Sequence, residues 1–195
     1  GQLSRVHGGA VPVTEPEASA PLGYIALQTR STQHIEQKTT IAEHALTMIQ
    51  EGQIIALDYG STSQMLALAL KKQFQNLTIV TNSIQNALIL SECPGYTVIL
   101  TGGILNKNEY TLVDNMTPLM EHLHIDTYFM SVSGIDPVVG CTDLGFSEAN
   151  IQNWMRRAAA KTIVLADSSK FGRSSLVKVC PVSEVNCIIT DSGLS

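Results

Sequence analysis

The sequence predicts an α/β fold with a Rossmann-like, mostly parallel sheet flanked by helices, and three observations predict it. Short continuous apolar runs such as Ile54-Ile55-Ala56-Leu57 recur along the chain, as strands covered on both faces require. Longer segments with apolar side chains at three-to-four spacing lie between them, as crossover helices require. Loops rich in Gly, Ser, Thr, Asn and Asp follow the runs. Strands alternating with helices long enough to cross over pair in parallel, with helices on both sheet faces.

Taken in order, residues 1–24 carry no apolar period and are dominated by Pro, Ala and small polar residues. They predict a linker, leaving 25–195 as the domain proper. After Gln33, the residues Ile41, Ala45, Met48 and Ile49 form one helical face that stops at Gly52. The run 54–57 is the first strand, 65–74 a helix, 77–80 a strand, 83–91 a helix and 96–100 a strand leading into a polar loop. A helix around 118–123 and a strand around 127–132 follow. The chain closes with a helix at 148–160, a strand at 162–166, a loop at 168–175 and a last strand at 185–190.

Composition narrows the function. At roughly 150 residues per domain, 195 residues make one substantial domain with a modest appendage. With 44% hydrophobic and 15% charged residues, wholesale disorder is excluded. Twelve Lys and Arg against seventeen Asp and Glu give a net charge of −5, and the basic residues are scattered from Arg5 to Lys178. By itself such a chain is a poor nucleic-acid binder. The apolar runs fall far short of the roughly 18 residues of a membrane span, and no signal-like stretch opens the sequence, so a cytoplasmic protein is expected. Cys93, Cys141, Cys180 and Cys187 lack a C-x-x-C spacing and read as reduced small hydrophobes. His122 and His124 would diverge on a helix, so no metal is expected, and no cofactor.

In open α/β sheets, ligands bind beyond the carboxyl ends of the strands, near the point where strand order reverses. The loops there are Asp58-Tyr59-Gly60-Ser61-Thr62, Thr81-Asn82-Ser83, Thr101-Gly102-Gly103, Gly134-Ile135-Asp136 and Asp167-Ser168-Ser169-Lys170-Phe171-Gly172. Gly60-Ser61-Thr62 opens a helix, where free N–H groups, a glycine and two hydroxyls suit a phosphate; Ser61 or Thr62 could equally cap that helix. Thr81-Asn82-Ser83 repeats the arrangement. Gly102 and Gly103 allow close approach of a ligand or simply a turn. Lys170 is a cation able to neutralise a phosphate, or a solvated loop residue. P-loop, G-x-G-x-x-G, G-x-S-x-G and H-E-x-x-H motifs are missing from the sequence.

These loops, together with Val6-His7-Gly8-Gly9-Ala10-Val11 and Lys38 with Ile41-Ala42, make the chain resemble the C-terminal effector-sensing region of DeoR-family bacterial transcriptional regulators. The resemblance runs nearly end to end. It implies the fold of sugar-phosphate isomerases and coenzyme A transferases, a phosphorylated sugar or related metabolite as effector, and homo-oligomers. It also implies operator DNA as a partner through a winged helix-turn-helix that would precede residue 1. Carried over by residue, it assigns ligand contacts to Asp58, Gly60, Ser61, Thr62, Thr81, Asn82, Ser83, Gly102, Gly103, Asp136 and Lys170, with Tyr110 and Glu148 near the pocket. Asp114 stands where the family often has Gly, and Ser63 where a second Thr is common.

The rival reading is an active sugar-phosphate isomerase or deaminase. Such enzymes need a carboxylate base over the sugar carbons. After the second strand, where the deaminating relatives place that base, this chain has Asn82 and Ser83, neither a base near neutral pH. Pro137-Val138-Val139 follows Asp136 where those enzymes have Gly-His. A non-catalytic sensor is therefore expected, with Asp58 and Glu148 the carboxylates on which catalysis would have to rest.

Overall fold

A computed structural model of the protein describes residues 3–6, 9–12, 25–114 and 122–194. Within the expected linker, β1 (Leu3–Val6) pairs antiparallel with β2 (Gly9–Pro12). The backbone there is a two-stranded ribbon, which the Pro- and Gly-rich composition did not announce. The helix expected around 118–123 lies largely outside the described residues.

The domain proper opens with α1 (Leu27–Thr32) and α2 (Ile35–Leu46). Then come β3 (Ile54–Leu57), α3 (Ser61–Gln73), β4 (Leu77–Thr81), α4 (Ile84–Ser91) and β5 (Tyr96–Leu100). A hairpin, β6 (Ile104–Asn106) and β7 (Thr111–Val113), precedes β8 (Ile125–Ser131). The remainder is β9 (Gly134–Asp136), β10 (Gly140–Asp143), α5 (Phe146–Ala158), β11 (Ala159–Leu165), β12 (Val177–Cys180) and β13 (Cys187–Ile189).

Six strands form one sheet in the order β13-β11-β8-β3-β4-β5, and every pair is parallel. Alternation along the strands builds two cores. Ile55, Leu57, Ile79, Phe129, Ile163 and Leu165 face α2, α3 and α4, with Ile41, Leu66 and Leu70 fully buried against them. Ala56, Val80, Tyr128, Met130 and Val164 face the other way and pack with Ile151 and Met155 of α5. Continuous apolar runs are needed because both faces are covered.

The sequence reading did not foresee α1, the β6–β7 hairpin or the antiparallel ribbon β12-β10-β9. Their segments are too short or too polar for either apolar period to show. Gly102 and Gly103 take φ of +73° and +115°, turning the chain from β5 into β6. A Cβ on Gly103 would lie 2.1 Å from the Val113 carbonyl oxygen, so Gly103→Ala is expected to cost about 1–3 kcal/mol, read as a lower urea midpoint with an unchanged slope.

Candidate functional site

The chain runs β3, β4, β5 towards one edge of the sheet and returns through β8 beside β3 to fill the other. The order therefore reverses between β3 and β8, and the loops after these two strands meet. Gly60, at φ +117° and ψ 158°, sits against Ser131 at the end of β8; a Cβ there would approach the Ser131 Cβ to 3.2 Å. That conformation is open essentially to glycine alone. Gly60 is the N-cap of α3 and supplies no side-chain cap, which decides between the two roles open to Ser61 and Thr62: neither hydroxyl caps the helix. The first-turn N–H groups are left for a ligand. Ser63 instead donates to the Asp58 carbonyl at 2.9 Å.

A cleft of about 240 Å³ opens over this helix start, and it is lined by Gly60, Ser61 and Thr62 together with Arg30, Lys38, Lys170 and Arg173. Four cations gather here in a chain of net charge −5. Among the described residues, Asp167 is the one carboxylate lining it. Burial, then the neighbouring cations, hold the Lys170 amine below its ordinary pKa, with Asp167 opposing. Lys38 is 3% exposed and donates to the carbonyls of Arg30 and Gln33. Burial is the main reason its pKa falls to about 8. Among the described residues no ion pair neutralises Lys170, so this corner carries unspent positive charge.

Beneath the cleft lies a buried polar network. One oxygen of Asp58 accepts from the Ser131 amide at 2.8 Å, the Tyr128 hydroxyl at 3.1 Å and the Gln152 amide at 3.2 Å. Its other oxygen is buried without a partner. Burial outweighs these bonds and raises the Asp58 pKa well above the usual carboxyl range, with Asp143 adding to the rise. Asp143 accepts from the Tyr59 hydroxyl at 2.8 Å, the Gln152 amide at 2.9 Å and the Ser133 hydroxyl at 2.7 Å.

At the end of β4, Thr81 and Ser83 are committed locally: Thr81 accepts from the Ser83 amide at 3.1 Å, and Ser83 caps α4 by accepting from the Asn86 amide at 3.2 Å. Asn82 is fully buried, and neither side-chain amide atom has a partner among the described residues. A buried amide in that state calls for a polar partner. Asn86 bridges the two loops, donating to the Asp58 carbonyl at 2.8 Å.

The remaining expected contacts separate. Glu148 accepts from Asn106 at 2.6 Å and Thr111 at 3.4 Å, tying the β6–β7 hairpin to α5. Tyr110 and Asp114 flank β7, both at φ +53°. The Tyr110 carbonyl accepts from the Ile84 amide at 3.0 Å, and Asp114 from Ser147 at 3.3 Å. A left-handed backbone at Asp114 is the reason a glycine suits that position. Gly102 and Gly103 serve the turn rather than line the cleft. Asp136 is not brought to the cleft either, because it accepts from the amides of Val138 and Val139, both at 2.8 Å, and closes its own hairpin.

Arg30, Lys38, Arg173, Tyr59, Asp143 and Gln152 were not among the site residues expected from the sequence. The available signal for Gln152 was its place one turn after Glu148 on a face otherwise made by Ala149, Ile151 and Met155. No group of His, Cys, Asp and Glu among the described residues could hold a metal.

Against known proteins, the family model described as the DeoR C-terminal sensor domain matches residues 33–192. The chain belongs to that family. The HTH-type transcriptional regulator GolR of Listeria innocua is 33% identical over 199 residues, covering all of this chain and 75% of the relative. The HTH-type transcriptional regulator GlpR of Haloferax volcanii is 34% identical over 195 residues, covering all of this chain and 74% of the relative. Ribose 5-phosphate isomerase A from Neisseria gonorrhoeae superposes with a TM-score of 0.53 at 20% identity, over 71% of this chain and 54% of the isomerase. That likeness concerns the fold: a DeoR sensor domain is built on a sugar-phosphate isomerase-like sheet. No helix among the described residues is long and apolar enough to cross a membrane.

Proposed function

We propose that this DeoR sensor domain binds a phosphorylated sugar or related metabolite in the cleft over α3, without turning it over, and that binding alters operator affinity through a homo-oligomer. DNA contact is then made by a winged helix-turn-helix preceding this chain, with the regulator acting as a cytoplasmic repressor. The observation that carries the reading is the convergence of Arg30, Lys38, Lys170 and Arg173 on an uncapped helix start. A phosphate there gains charge-assisted bonds and the helix N-terminus together. Asn82 is fully buried and does not line the cleft, so the phosphate contacts rest on the four cations and the helix start. Support for a non-catalytic role comes from Asn82 and Ser83 in place of a base, and from Asp136 bonded to its own turn.

The test is a thermal-shift panel of sugar phosphates against the matching free sugars, since a ligand of the folded state raises the melting temperature. A phosphate-dependent rise is expected. A flat panel overturns the reading, and conversion of the bound compound overturns the non-catalytic part.

A pH dependence follows. Lys38, with its pKa lowered to about 8, loses its proton in the free protein above that pH, whereas a bound anion favours the protonated amine. Binding then requires proton uptake, so affinity falls as pH rises through 8 and by about tenfold between pH 7 and 9. The ligand's own phosphate is already dianionic there. Calorimetric titration at the two pH values checks this, and Lys38→Arg should shrink the dependence.

A further inference from the structure

We propose that the outer groove between α2 and α3 is where a second copy of this chain docks about a twofold axis, setting α2 of each copy against α3 of the other. This deepens the proposed function and rests on its homo-oligomer. Both helices already bury one apolar stripe on the sheet, Ile41 and Ala45 from α2 and Leu66 and Leu70 from α3. A second stripe faces outwards. It lines a groove of about 550 Å³, to which α2 gives Thr39, Ala42, Glu43 and Leu46. From α3, Met65, Leu68, Ala69 and Lys72 repeat the same spacing. That spacing keeps four side chains on one side of a helix over two turns. Leu68 is left 42% exposed, and the small side chains of Ala42 and Ala69 leave a hollow beside it. Helices with such surfaces pack by setting a large side chain of one into a gap on the other.

The charges on the rims decide which partner fits. Glu43 stands on the α2 rim and Lys72 on the α3 rim, both exposed, and among the described residues neither forms an ion pair. A partner must therefore bring a cation over α2 and an anion over α3, on either side of an apolar strip. A copy of the same groove turned about an axis along its length does so by construction, because its Lys72 comes over Glu43 and its Glu43 over Lys72. The interface also adjoins the cleft. Lys38, which lines the cleft, precedes Thr39 of the groove on α2, and Thr62 of the cleft stands about one turn before Met65 on α3. An anion drawn into the cleft therefore acts on the two helices that the copies share.

Sedimentation velocity of the full chain over a concentration series at low salt tests the surface, and the unsubstituted protein is expected to self-associate. Leu68→Asp is expected to weaken association by about 30-fold or more, with the circular dichroism of the fold unchanged because Leu68 is exposed within one copy. Glu43→Lys and Lys72→Glu each set like charges together twice across the axis and are expected to weaken association by about tenfold. Mixing these two variants is expected to restore it, since every rim pair of the mixed dimer is again opposite in sign. A charge pair within one copy cannot be repaired by mixing. Should Leu68→Asp fold poorly, the charge variants carry the test. Association that survives Leu68→Asp, or charge variants that mixing does not rescue, overturns this surface and leaves the homo-oligomer. A chain that stays monomeric throughout overturns both and leaves the groove to a partner of another sequence.

Discussion

Replacing Lys170 with Ala is expected to weaken a phosphorylated ligand by about 10- to 100-fold while leaving its unphosphorylated parent within about twofold. The size follows from the loss of a hydrogen bond to a charged group, about 1.5–3 kcal/mol. Lys170 lies within the cleft beside the start of α3, and its short 3₁₀ turn, Ser168–Lys170, is fixed by Asp167 accepting from the Ser169 amide. The backbone that presents the amine is therefore indifferent to the truncation. Paired calorimetric titrations of a sugar phosphate and the free sugar check the ratio; equal losses for both would remove Lys170 from the phosphate end.

The largest effect on stability is expected at Asp58. Asp58→Ala leaves the Ser131 amide, the Tyr128 hydroxyl and one Gln152 contact without their acceptor in a fully buried setting, at a cost of about 3 kcal/mol. Asp58→Asn keeps an accepting oxygen, and its amide nitrogen replaces the carboxyl oxygen that has no partner, so most of that loss is avoided. The wild type and Asp58→Asn also separate by pH. Because burial raises the folded-state pKa of Asp58 above its unfolded value, its contribution is complete below the ordinary carboxyl pKa and is lost as pH rises through the raised one. Urea denaturation of the wild type should show stability falling relative to Asp58→Asn as pH climbs from 4 towards neutrality. A constant difference between them would mean that Asp58 is ionised throughout.

How much of this was legible in the sequence depended on what each element buries. Strands covered on both faces, such as 54–57 and 77–80, declare themselves as apolar runs, and their carboxyl ends locate the loops of the candidate site. The places of Gly60, Ser61, Thr62 and Lys170 beside the cleft were legible for that reason. Arg30 was not, since α1 is six residues long and buries Leu27 alone; its relevance comes from the fold bringing it over α3. Arg173 likewise sits in an irregular stretch whose route only the three-stranded ribbon explains. Asp136 is placed differently, away from the cleft. A carboxylate after a glycine-containing strand end reads as a ligand contact, but an Asp with two amides within its own turn satisfies itself there.

The strand order has a consequence for when the protein becomes competent. Arg30 belongs to the first helix of the domain proper, whereas Lys170 and Arg173 follow β11, and the seam between β3 and β8 that seats Gly60 on Ser131 exists only once the sheet's two halves have joined. Pairings this distant along the chain are late events in folding. On the proposed reading, a partly synthesised domain emerging from the ribosome lacks the cleft and does not bind the effector. Occupancy would then report finished molecules alone, with the effector stabilising only chains that have already closed that seam.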